Sequence, residues 1–195
     1  MRGALWPCQP GTPRHFAVEF SSSHTNVGPV KLSATLEQAL NNQISLELSS
    51  AYAYLGMAAY FEQTPFSGFA AWMKFQSKEE VGHAMRIFKY LSERNGKTTL
   101  QAIAQPKSVY ASALEAFQTS LQHEQKVSAS ICSLYDAAMA EKDFPTASFL
   151  KWFLDEQVEE EKSVGDLVAK LELIGDNRNG LFQLDHHAGK RAEEK

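Results

Sequence analysis

The sequence predicts an all-α domain, a four-helix bundle with one long crossover and a short fifth helix at its C-terminal end. Three observations carry this reading. Apolar residues recur every seven positions, close to two helical turns, in four separate stretches: Leu40, Tyr54 and Phe61; Met73 and Ile87; Phe117, Ile131 and Ala138; Phe153, Leu167 and Ile174. The breaks after the first and third stretches are short, whereas the link between the second and third is long. The chain has 195 residues, 44% hydrophobic and 22% charged, enough to bury one substantial core.

The first helix is expected to start after Ser33, a good N-cap, and to run to about Glu62, where Thr64-Pro65 breaks it. The second spans about Ser67 to Asn95 and stops at Gly96. So short a connection makes these two antiparallel neighbours. The third covers about Tyr110 to Ala140, and the turn at Lys142-Asp143-Phe144-Pro145 leads into a fourth that ends near Gly175, a second antiparallel pair. A helix of about 28 residues is roughly 42 Å long, and the weakly patterned link Lys97 to Val109 reaches at most about 45 Å when extended. It can just run the length of the bundle, so helices two and three can lie parallel. Asp176 to Gly180 should form a turn and Leu181 to about Gly189 the fifth helix. Residues 1–31, with Pro7, Pro10, Pro13 and the serines Ser21 to Ser23, read as a disordered extension, 32–189 as the domain, and 190–195 as a solvated tail.

Composition excludes several classes of function. The net charge of −4 offers no broad attraction for nucleic acid, and no apolar run approaches the roughly 20 residues that cross a bilayer. Two cysteines, Cys8 and Cys132, build neither a disulfide framework nor a Cys-x-x-Cys zinc site, and Cys132 is expected to be a small core residue. Arg2 and Arg14 with the single acid Glu19 give residues 1–31 a weak likeness to a transit peptide, but no amphipathic helix goes with them. A cytoplasmic protein is expected, with organelle targeting as the alternative.

The four stripes share an anomaly. Each carries a carboxylate near its middle, where the pattern calls for an apolar residue: Glu47, Glu80, Glu124 and Glu160. His83 lies one turn beyond Glu80 on the same face. Burying an ionised carboxylate costs several kcal/mol unless something compensates, and four together also repel one another. The available lysines, Lys78, Lys126 and Lys162, each sit two residues from a seam glutamate, roughly 200° around the helix, so they point away. Two divalent cations would balance the four charges. On the Glu80-x-x-His83 turn the two side chains differ by roughly 300° and can serve one metal, while the second Glu80 oxygen can bridge to another. Carboxylates with one imidazole suit iron, and ligand type alone leaves zinc and manganese open.

With these residues in view, the chain resembles the ferritins of the haem-free bacterial type from about Leu32 to Leu184. The likeness rests on Ile44-Ser45-Leu46-Glu47-Leu48, Glu79-Glu80-Val81-Gly82-His83 and Glu156-Gln157-Val158-Glu159-Glu160-Glu161-Lys162. It implies the ferritin-like fold, and a protein that oxidises Fe(II) to Fe(III) with dioxygen or peroxide at a dinuclear ferroxidase centre. It also implies storage of ferric mineral in a homo-oligomeric cage of 24 subunits. By the same resemblance Glu47, Glu80 and His83 hold the first iron, Glu124 and Glu160 the second, with Glu80 bridging. Tyr54 would be a one-electron donor, the alternative being a core aromatic whose hydroxyl bonds a glutamate; Glu79, Glu156 and Glu159 with Glu160 would form a third iron site, the alternative being a solvated acidic face; and Gln157 would hydrogen-bond near the second iron or dioxygen.

Departures from related patterns narrow the reading. Glu160 is followed three residues later by Ser163 rather than a second histidine, unlike symmetric di-iron proteins, and Val81 stands where haem-binding relatives place methionine, so no haem is expected. Asp185-His186-His187 has metal-ligand chemistry but is expected to be an exposed tail turn. The competing function is a metal-buffering or structural bundle that binds cations without consuming oxygen.

Overall fold

The computed structural model describes residues 31–191, and the expectations for residues 1–30 and 192–195 lie outside them. The described residues form five α-helices: α1 (Ala34–Phe61), α2 (Ser67–Glu93), α3 (Ala113–Ala140), α4 (Phe144–Ile174) and α5 (Arg178–Arg191). None is long and apolar enough to cross a membrane.

Helix boundaries follow local chemistry. Ser33 caps α1 by accepting from Leu36 N–H at 3.0 Å. The third helix starts later than the expected Tyr110, because Ser112 and Glu115 fix its start: Ser112 accepts as N-cap from Glu115 N–H at 3.1 Å, and Glu115 reaches back past the cap to accept from Ala111 N–H at 2.6 Å. Asp143 caps α4 at Thr146 N–H, 3.1 Å, with Pro145 in the first turn, where its missing N–H costs nothing. The expected turn at Asp176 to Gly180 is shorter than the sequence suggested. Asn177 accepts from Gly180 N–H at 3.1 Å, and α5 begins at Arg178 and runs beyond Gly189 to Arg191.

The helix pairs α1/α2 and α3/α4 are antiparallel hairpins, and the link between them is laid along α1. Near the start of α1, Asn41 binds both Lys97 O at 2.9 Å and Thr99 N–H at 2.6 Å. Near its end, Gly56 leaves room for the link to touch the helix backbone: a Cβ there would sit 2.6 Å from Lys107 O. The link therefore traverses the bundle, and α3 runs parallel to α2.

Four seam positions divide the apolar core in two. On one side lie Tyr54, Met57, Phe61, Phe69, Trp72, Met73, Phe117, Val164 and Leu167. On the other lie Leu36, Leu40, Ile44, Ala84, Ile87, Val127, Ile131, Leu150 and Phe153. Glu47, Glu80, Glu124 and Glu160 each fall between the two sets on their own helix, and all four are buried. Lys78, Lys126 and Lys162 are exposed, as their phase requires.

Two expectations are corrected. Cys132 is exposed, not a core residue, because neighbouring Ile131 and Leu134 take the inward phase and leave it about 100° off. Asp185-His186-His187 is not a tail turn but part of α5. His186 and His187 are exposed, while Asp185 is buried and accepts from Phe69 N–H at 2.7 Å. Phe66, the residue before α2, offers no side-chain cap, so Asp185 supplies one from another helix. The close crossing needs Gly68, where a Cβ would lie 1.9 Å from Asp185 O.

Candidate metal centre

The polar layer is held together by donors that engage at least one oxygen of three of its four carboxylates. Gln43 Nε2 donates to Glu47 Oε1 at 2.9 Å, and Gln76 Nε2 donates to Glu160 Oε2 at 2.7 Å. Glu124 accepts from the Tyr54 hydroxyl and, at 3.3 Å, from Gln157 Nε2. Glu80 is the exception. Its Oε2 and Glu47 Oε2 are buried with no hydrogen-bond partner, and the His83 Nδ1 atom stands 3.6 Å from the former.

Electrostatics fit a layer built for cations. Burial first, and the Glu80 charge next, hold Glu47 well above the usual carboxylate range; burial and the Glu124 charge do the same to Glu80. Burial pushes Glu124 up to about 7 despite the Tyr54 hydrogen bond. Burial, then the charges of Glu124 and Glu79, push Glu160 up to about 7. Burial and the facing Glu124 likewise raise Tyr54. Without a cation the layer must hold protons to limit its charge.

Ligand atoms of Glu47, Glu80 and His83 all lie within 4.8 Å of one another, as do those of His83, Glu156 and Glu160. The structure thus brings together the predicted set for the first metal, and it sets Glu156 beside Glu160. Glu124 joins neither group, being turned toward Tyr54 and Gln157. Glu79 is half-buried and acts electrostatically on both Glu80 and Glu160, whereas Glu159 is exposed and joins neither cluster. The His83 ring is fixed edge-on against Trp152 and Phe153, with centroids at 5.5 and 6.1 Å, and the Arg86 guanidinium lies 4.0 Å over Trp152.

The donor set fits iron. Carboxylate oxygens and one imidazole nitrogen suit a divalent first-row metal, and the two orphaned oxygens of Glu47 and Glu80 are buried acceptors awaiting a positive partner. Sequence reasoning missed Gln43 and Gln76. A signal was present: every seam glutamate has a polar residue one turn earlier, Gln43, Gln76, Ser120 and Glu156, in the inward phase.

The Ferritin-like domain family matches residues 37–174. Over 160 residues the chain is 40% identical to a bacterial non-heme ferritin of Staphylococcus aureus (strain USA300), covering 82% of this chain and 96% of that protein. It is 42% identical over 160 residues to a bacterial non-heme ferritin of Bacteroides fragilis (strain 638R), covering 82% and 99%. Among solved structures, the open pore ferritin of Archaeoglobus fulgidus superposes with a TM-score of 0.81 at 45% identity, covering 82% of this chain and 98% of that one.

Proposed function

The chain belongs to the ferritin family, in its haem-free bacterial branch, and on that premise we propose that it stores iron in the cytoplasm after oxidising Fe(II) to Fe(III) with dioxygen or peroxide. The observation that carries this reading is the buried layer of four glutamates and one histidine, with acceptor oxygens of Glu47 and Glu80 left unpaired. Only a cation or a proton relieves such a layer.

In this reading Glu47, Glu80 and His83 take one Fe(II), Glu124 and Glu160 take a second, and Glu80 reaches both. Two Fe(II) ions give up one electron each, and dioxygen takes both electrons with two protons. The carboxyl groups, emptied of their own protons by the arriving cations, hold the ions side by side so that the two transfers occur at one place. Gln157 steadies Glu124; in this reading Tyr54, hydrogen-bonded to the same carboxylate, supplies one electron with its phenolic proton and a further Fe(II) supplies a second, so that peroxide with one more proton becomes two waters. Glu156 and Glu79 accept iron beyond the primary pair. No haem takes part, and the ferric product collects inside a cage of 24 identical subunits.

Aerobic Fe(II) titration of the metal-free protein, with oxygen uptake and light-scattering mass measured together, tests this. The expected result is a large closed assembly that binds two Fe(II) tightly per subunit and consumes oxygen as it does so. Tight binding without oxygen uptake would instead support a metal-buffering bundle.

A further inference from the structure

The three tethered carboxylates are held in different ways, and the two glutamines divide the layer between them. Gln43, on α1, gives its amide N–H to Glu47 and takes a hydrogen bond from Ser130 on α3 through its own Oε1, at 2.5 Å. Because the serine engages the oxygen, the amide has one orientation, and its nitrogen must face the glutamate. Gln76, on α2, reaches across the bundle to Glu160 on α4, yet its Oε1 is buried with no partner. Leaving an amide oxygen unpaired in the core is destabilising. A donor that arrives with the substrate would remove that cost.

We propose that Gln43 and Gln76 are positioning residues, one for each metal position, and that Gln76 also offers its free carbonyl oxygen to a water carried in by the ion at Glu160. This rests on the two-iron reading above. Each amide fixes one carboxylate oxygen and so aims the other at its metal. Glu80 receives no amide. The arrangement gives each ion its own fixed support and leaves the carboxylate between them without one.

Calorimetric titration of the assembled, metal-free protein with Zn(II), and visible spectra with Co(II), test the division of labour. Glu47→Ala and Glu160→Ala serve as references that mark which binding step belongs to which position. Gln76→Met, similar in shape and without a donor, should weaken the Glu160 step by about 10–100-fold and shift its Co(II) bands, leaving the other step within about twofold. Gln43→Met should do the reverse. If Gln76→Met does not assemble, Gln76→Leu, which is smaller and likewise has neither donor nor acceptor, should give the same selective loss. Equal weakening of both steps, or none, overturns the proposal. A parent protein that fails to take two ions overturns the two-iron reading instead.

Discussion

The Tyr54 hydroxyl donates to Glu124 Oε1 across the interface of α1 and α3, in a part of the core where both residues are fully buried. A hydrogen bond to a charged acceptor contributes about 1.5–3 kcal/mol. Tyr54→Phe should therefore destabilise the metal-free protein by about that amount at pH 8, and by less at pH 6, where Glu124 holds a proton. Denaturant unfolding at the two pH values measures the difference. If Tyr54 also supplies an electron, rapid mixing with Fe(II) and oxygen should produce an organic radical signal that the phenylalanine variant lacks.

The raised carboxyls set the pH dependence of the metal-free fold. Glu124 and Glu160 go from the ordinary value of 4.5 to about 7, so the folded state binds more protons than the unfolded state between those limits. Their contribution is fully present below about pH 4.5 and is lost as pH rises through 7, on the order of 3 kcal/mol for each taken alone. The unfolding midpoint of metal-free protein should fall between pH 5.5 and pH 8. Two equivalents of Zn(II) should remove the fall, and a midpoint that rises with pH without metal would contradict the sign.

In the two-iron reading Glu80 is the ligand shared by both ions, and Glu80→Ala removes it. Stopped-flow oxidation of two Fe(II) per subunit should slow by at least about tenfold, equivalent to about 1.4 kcal/mol of barrier. An unchanged fast phase would remove Glu80 from the centre.

Glu156 and Glu159 should separate in function. Glu156 has a ligand atom within 4.8 Å of those of His83 and Glu160, whereas Glu159 is exposed. Glu156→Ala should abolish a third tight Fe(II) and change the ratio of iron oxidised to oxygen consumed, while the primary pair still fills. Glu159→Ala should leave both quantities nearly unchanged, and equal effects of the two variants would place the third position farther out on the acidic face.

Gly68→Ala should push α5 off the start of α2, since its Cβ would lie 1.9 Å from a backbone oxygen. Overpacking of this kind costs about 1–3 kcal/mol or more, which lowers the melting midpoint by several degrees. Gly165→Ala is the control: a Cβ there meets nothing within 4 Å, and the helix should gain roughly 0.5–1 kcal/mol.

The sequence made the four seams, their glutamates and His83 legible because helical phase is a local property: seven residues on, the side chain returns to the same face. Ser33 and Asp143 were equally readable as caps or turns from neighbouring residues alone. What was hidden depends on partners distant in the chain. Gln76 pairs with Glu160 on another helix, and Asp185 caps the start of α2 by accepting from Phe69 N–H, 116 residues earlier in the chain. Cys132 was misplaced because its residue type favours burial while its phase does not, and phase wins inside a long amphipathic helix. The late start of α3 was missed for a different reason, an unweighed pair, Ser112 and Glu115, that outcompetes the two preceding residues for the first turn.

In the proposed reading the metal ligands are shared out between the two hairpins. Glu47, Glu80 and His83 come from the first, and Glu124, Glu156 and Glu160 from the second, with only the strap over α1 joining them. That strap is exposed along nearly all of its length. Cutting it would yield two complementary fragments, each with half of the ligands and neither able to neutralise its own buried charge. Iron would then act as the bolt between them, making reassembly of the nicked bundle a titratable, chelator-reversible event.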